Sequence, residues 1–224
     1  MRHPKRAPNH GRLKPVRDAI GQTEGDLVTR VDTVVRDSWL AWVIAWWGLA
    51  VWMRHKKTVK AERLGPMLAR VLLPFLTCLA VIFLINWLRP DLLQSPFASP
   101  RPEALIAVGL SFLYLGFACM FWARFTLGRN WSGRVTLKED HELVNRGPYR
   151  FVRHPIYTGL ILAIVGTAVV RANVVWLLVA AALTWGIVIK ARLEESYMLE
   201  NFGVRYQEYR ARTGFLVPRL HTRP

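Results

Sequence analysis

Three short stretches of the chain carry residue types that could do chemistry together. The first is Gly147-Pro148-Tyr149-Arg150-Phe151-Val152-Arg153-His154-Pro155-Ile156-Tyr157-Thr158-Gly159. A residue ahead of proline is steered out of the helical region, and proline suits the first position of a helix. His154 is therefore expected at the N-terminal edge of a helix opening at Pro155. Unpaired N–H groups and the positive dipole end favour an anion there, such as a ligand carboxylate. Arg150 and Arg153 add positive charge at the same depth, Tyr157 falls in the first turn, and Gly159 leaves room beside it. The alternative is an interfacial anchor, with Arg and His among headgroups and Tyr in the aromatic belt.

The second stretch is Lys190-Ala191-Arg192-Leu193-Glu194-Glu195. On a continuing helix, Lys190 pairs with Glu194 and Arg192 with Glu195, each worth only about 0.2–0.5 kcal/mol. Chemically, the carboxylates could hold an amine or the amino end of a sulfonium cofactor, and Lys190 or Arg192 could hold an anion. The third stretch, Leu127-Gly128-Arg129-Asn130-Trp131-Ser132-Gly133, brackets polar residues with glycines. It reads as a tight turn able to approach a ligand, or as a plain polar turn leaving a bilayer.

The elements that must position these residues are membrane helices. The chain has 224 residues, is 52% hydrophobic, and carries 31 Lys+Arg against 15 Asp+Glu, with ten Trp. That combination fits a membrane protein with basic loops and an aromatic belt; a soluble nucleic-acid binder would not confine its charges between such long apolar runs. Residues 67–88 and 104–122 are long enough to cross about 30 Å of hydrocarbon. Residues 156–170 and 174–189 are shorter. They are separated only by Arg171-Ala172-Asn173, which forces an antiparallel hairpin. Gly159, Gly166 and Thr167 put small residues on one side of its first helix, where backbones can approach closely.

Residues 38–53 hold Trp39, Trp42, Trp46, Trp47 and Trp52, which suits either a spanning or an interfacial helix. With five spans, and Arg70 inside its apolar run left uncounted, Lys and Arg divide 19 against 11 between the two sides. If 38–53 does not span, the division becomes 27 against 3, the arrangement the positive-inside rule prefers. Both arrangements place 123–155 and the C-terminal tail together in the cytoplasm. The fold expected is thus an all-α integral membrane protein with five transmembrane helices, or four plus one interfacial helix, and a short C-terminal helical hairpin. Its regions are a basic, disordered tail (1–37), N-terminal membrane helices (38–122) and a catalytic region (123–224). No cleavable signal is evident, and loop 89–102, with four prolines, reads as a stiff connector. Cys78 and Cys119 both lie in apolar runs, so no disulfide scaffold is expected, and no metal-ligand spacing occurs.

The order Gly-Pro-Tyr-Arg-x-Val-Arg-His-Pro-x-Tyr-x-Gly (147–159), an apolar hairpin, Glu194-Glu195 and Phe202-Gly203-x-x-Tyr206-x-x-Tyr209 resembles the isoprenylcysteine carboxyl methyltransferase family. That wider family includes phospholipid N-methyltransferases and bacterial members. The resemblance covers residues 127–218, and the first hundred residues match only in number of spans.

The resemblance implies an integral-membrane methyltransferase using S-adenosylmethionine, in a bacterial inner membrane with the site facing the cytoplasm. His154, Pro155, Tyr157 and Gly159 would line the cofactor pocket, with Gly147, Pro148 and Tyr149 on its approach. Glu194 and Glu195 would complete it, with Arg153 and Asn130 as further cofactor contacts. Lys190 or Arg192 would face the methyl acceptor, with Glu195 also among the catalytic groups. Lys190 stands where the family commonly has Arg, giving a point charge in place of a fork. The acceptor would be lipophilic or small and apolar, a carboxylate or thiol, reaching the site from the lipid between the 104–122 span and the hairpin. Membrane lipids are the other partners, and nucleic acid is not one. The rivals are a phospholipid N-methyltransferase, a sterol-type NADPH reductase and a catalytically idle membrane scaffold.

Overall fold

The structure is a computed structural model that describes residues 13–53, 58–61, 77, 84, 101–128, 136–138 and 143–219. Asn130 and its turn lie outside the described residues, as do Cys78 and all of the apolar run 67–88 except positions 77 and 84. The described chain forms α1 (Leu13–Trp52), α2 (Glu103–Leu127), α3 (Pro155–Arg171), α4 (Val174–Phe202) and α5 (Val204–Arg212), with a 3-10 turn over Gly147–Arg150. One departure from the all-α expectation is a short antiparallel ribbon pairing β1 (Thr58–Ala61) with β2 (Thr136–Lys138). By length and composition α2 and α4 are able to cross a membrane, and α3 is a shorter apolar helix.

Each helix ends where its residues dictate. Gly128 at φ 52° stops α2, its N–H on Arg124 O, while the fully buried Arg124 guanidinium donates to Gly128 O at 2.8 Å. Ala172 closes α3 in the left-handed region at φ 47°. Asn173 then caps α4, its side chain accepting from Val175 N at 2.7 Å. This connection makes the hairpin antiparallel, as its length required. The apolar part of α4 is 174–189, and from Lys190 onward the helix is charged.

α2 and α3 run antiparallel with their backbones in contact. A Cβ on Gly159 would fall 2.6 Å from Gly116 O, and one on Gly166 would fall 2.5 Å from Gly109 O. Among apolar helices in lipid, such close approach supplies the packing that burial supplies in water. Leu113, Met120 and Ala163 are sealed between them.

α1 differs from expectation. Residues 13–37, read as a disordered tail, continue the Trp-rich segment in one 40-residue helix. The physical reason is a stripe at helical spacing, Val31, Val35, Trp39, Trp42 and Trp46, that packs on α2 and α3. Ser38 Oγ meets Tyr114 OH at 2.9 Å, Trp42 stacks on Phe117, Trp46 lies against Phe121, and Arg124 reaches Met53 Sδ at 3.4 Å. These contacts advance together, so α1 and α2 are parallel. At the opposite end Asp32 joins Arg101 at 3.2 Å and Arg171 at 2.7 Å.

Candidate active site

The end where α2 and the apolar part of α4 finish, and where α3 begins, gathers the residues the sequence singled out. His154 has φ −124° and ψ 58°, outside the helical region, and Pro155 opens α3 behind it. The His154 ring is sandwiched: Tyr157 stacks on one side (5.7 Å, 16°) and the edge of Phe215 meets it at 5.2 Å. Its Nε2 is buried and makes no hydrogen bond among the described residues; Glu195 Oε1 faces it at 3.4 Å.

The acidic pair arrives from α4. Glu195, 9% exposed, accepts from Arg153 Nε at 2.5 Å, and its other oxygen lies 3.8 Å from Arg210 Nε. Burial pushes its carboxyl up, but His154 and Arg153 outweigh that and hold it at about 2. Glu194 is more open. Its Oε1 accepts from Tyr157 OH at 2.6 Å and lies 3.7 Å from Lys190 Nζ, while Oε2 is 3.9 Å from His154 Nδ1. The Lys190 ammonium stands 5.2 Å over the Tyr157 ring, a cation held on an aromatic face.

Of the residues anticipated, His154, Pro155, Tyr157, Arg153, Glu194, Glu195 and Lys190 converge here. Arg192 does not: it is exposed, one turn from Glu195, and makes no ion pair or hydrogen bond with any of them among the described residues. Gly159 is a second correction. The room beside it is filled by α2, with Met120 Cγ 2.9 Å from a Cβ placed there, so its smallness serves helix packing. The same contact corrects the expected path for an acceptor between α2 and the hairpin, because the backbones touch there. Gly147 is at φ 58°, and a Cβ on it would strike Thr126 Oγ1 at 2.7 Å, so it lets the Gly147–Arg150 turn seat against α2. Pro148 and Tyr149 are buried in that turn, and burial pushes the Tyr149 phenol well above its usual range. Arg150 is exposed, stacked over Phe151.

The sequence reading passed over the segment after α5. Thr213 to Leu216 folds back across the start of α3: Arg153 N donates to Gly214 O at 2.8 Å, Gly214 N to Phe151 O at 3.0 Å, and His154 N to Phe215 O at 3.3 Å. Thr158 Oγ1 adds a bond to Leu216 O at 2.7 Å, and Tyr209 OH donates to Tyr149 O at 2.7 Å. The one local signal was Gly214, where a Cβ would collide with Val217 O. Arg124 was missed as well, being counted as a loop charge.

Residues 107–200 match the sequence profile of the isoprenylcysteine carboxyl methyltransferase family. The chain is 33% identical over 113 residues to protein-S-isoprenylcysteine O-methyltransferase B of Arabidopsis thaliana, covering 49% of this chain and 57% of that protein. It is 31% identical over 146 residues to protein-S-isoprenylcysteine O-methyltransferase of Saccharomyces cerevisiae, covering 64% and 59%. Over 75 residues it is 41% identical to methanethiol S-methyltransferase 2 of Bradyrhizobium diazoefficiens, covering 34% and 28%. The chain thus spans between about half and three fifths of the isoprenylcysteine methyltransferases it matches. A solved eukaryotic intramembrane Ras methyltransferase aligns with TM-score 0.48 and 24% identity, over 70% of this chain and 54% of that one. Over residues 107–200, which hold α2, the His154 segment, the hairpin and the acidic pair, the family this chain matches is that of the isoprenylcysteine carboxyl methyltransferases.

Proposed function

We propose that the chain is an integral-membrane methyltransferase that uses S-adenosylmethionine and methylates a thiol or carboxylate on a lipophilic or small apolar acceptor reached from the bilayer. The observation that carries this reading is the convergence of the Arg153-His154-Pro155-x-Tyr157 segment and the Glu194-Glu195 pair at one end of the helices.

The residues fit a sulfonium amino-acid cofactor. Glu194 Oε2, whose nearest partner is His154 Nδ1 at 3.9 Å, offers an acceptor for an ammonium. The N–H groups that open α3 offer polar contacts for a carboxylate. When bound, that cofactor supplies a methyl group activated on sulfur. The chain's own residues position and dry the site. Lys190 is the cation on hand to orient an anionic acceptor. A carboxylate needs nothing more, whereas a thiol must also lose its proton. Phe215 and the segment around it cover the His154 ring. A lipophilic acceptor is barred between α2 and α3, while an apolar groove between α3 and α4, from Ala168 and Leu177 to Trp185 and Val188, is open to it.

In this reading α1 crosses the same layer as α2, and the five-span expectation from the sequence is kept. The site end faces the cytoplasm of a bacterial cell, carrying the larger share of Lys and Arg, 19 against 11. The test is incubation of the full chain in nanodiscs with methyl-labelled cofactor and membrane extract. A base-labile methyl ester marks a carboxylate acceptor, a thioether a thiol, and a labelled headgroup amine a phospholipid. No labelled product, and no heat on titration with S-adenosylhomocysteine, would overturn the reading in favour of an idle scaffold.

A further inference from the structure

We propose that the two glutamates of the acidic pair divide the work: Glu195 is a positioning residue that latches residues 213–216 across the start of α3, and Glu194 is the one that faces the ligand. The latch stands on geometry within the chain, and its effect on ligand affinity rests on the methyltransferase reading above.

Glu195 has little left to offer a ligand. One oxygen takes Arg153 Nε at 2.5 Å and faces His154 Nε2 at 3.4 Å, and the other lies 3.8 Å from Arg210 Nε. A ligand ammonium would have to displace a cation from a side chain that is 11% exposed. The far end of the same Arg153 guanidinium donates to Thr213 O and to Arg210 O. Arg153 therefore ties the carboxylate of α4 to the backbone of the returning segment. Around this tie, four hydrogen bonds sew 214–216 to 151–158, and Phe215 closes against the His154 ring. Glu194 is built the other way. Its side chain is 21% exposed, and among the described residues its Oε2 has no hydrogen bond and no ion pair but that with His154 Nδ1 at 3.9 Å.

Hydrogen exchange on the full chain in nanodiscs, without ligand, reads the latch directly. Glu195→Gln should speed exchange of the amides that hold the latch, those of Arg153, His154 and Gly214, by about tenfold or more, and Glu194→Gln should leave it unchanged. Should Glu195→Gln fail to fold, Arg153→Lys, which keeps the charge but shortens the fork, should loosen the same segment. Unchanged protection in the Glu195 or Arg153 variant, or equal loosening by Glu194→Gln, would overturn the division. Calorimetric affinity for S-adenosylhomocysteine supplies the second arm. If Glu195 acts through Arg153, the double variant Glu195→Gln/Arg153→Lys binds no more weakly than the weaker single variant. Additive losses would mean that Glu195 touches the ligand itself, and would overturn its positioning role. A wild-type chain with no affinity, whose segment still loosens as described, would leave the latch standing and remove the methyltransferase reading.

Discussion

A carboxylate held ionised by a buried guanidinium makes stability depend on pH in one direction only. The Glu195 carboxyl is lowered from 4.5 to about 2 in the folded chain. Its stabilising contribution is therefore complete above about pH 4.5 and is lost as pH falls towards 2. Thermal unfolding in detergent between these limits should show the wild type losing stability, with Glu195→Gln showing a flatter dependence. Lys190 and Arg192 make a second residue-scale contrast. Lys190→Gln should cut methyl transfer by about ten- to a hundredfold, by removing the cation that orients the acceptor. Arg192→Gln, on the exposed side of α4, should stay within about twofold. The sequence made His154, Tyr157 and the acidic pair legible because proline and the hairpin leave their placement little freedom. It could not separate Lys190 from Arg192, since two residues along a helix is a rotation of about 200° and only the packed structure says which side meets Tyr157. It also credited Gly159 with open space, because a missing side chain looks the same in sequence whether a ligand or a helix fills the gap.

Among the elements, the α2–α3 contact is the least tolerant of change. Gly166→Ala would put a methyl group 2.5 Å from Gly109 O, and neither backbone can yield cheaply. The cost should be about 2 kcal/mol or more, read as a lower unfolding temperature in detergent. Gly48→Ala, where a Cβ meets nothing within 4 Å, should be neutral or stabilising by up to about 1 kcal/mol. The apolar runs announced α2 and the hairpin plainly. The length of α1 was obscured because its inner stripe, Val31 and Val35, lies among Arg30, Asp32, Arg36 and Asp37, and those charges dominate any reading by composition. The ribbon of β1 and β2 was not legible at all, since it pairs two segments far apart in sequence and each is only a few residues long.

At the scale of the whole molecule, the parallel course of α1 and α2 sets the two ends of the bundle apart. Asp32 sits with Arg101 and Arg171 at one end, and Met53 with Arg124 at the other. An Asp26→Cys reporter and a Glu208→Cys reporter should therefore label with an impermeant maleimide from opposite sides of the membrane. Labelling of both from one side would return α1 to the interface, the arrangement that charge counting preferred. The return of 213–216 onto Arg153 has a consequence for biosynthesis. The segment that supplies Phe215 follows both arms of the hairpin in the chain, so the His154 ring gains this neighbour only from residues made after α3 and α4. A chain truncated after Phe202 would keep both arms of the hairpin yet lack the wall that Phe215 supplies to the His154 ring.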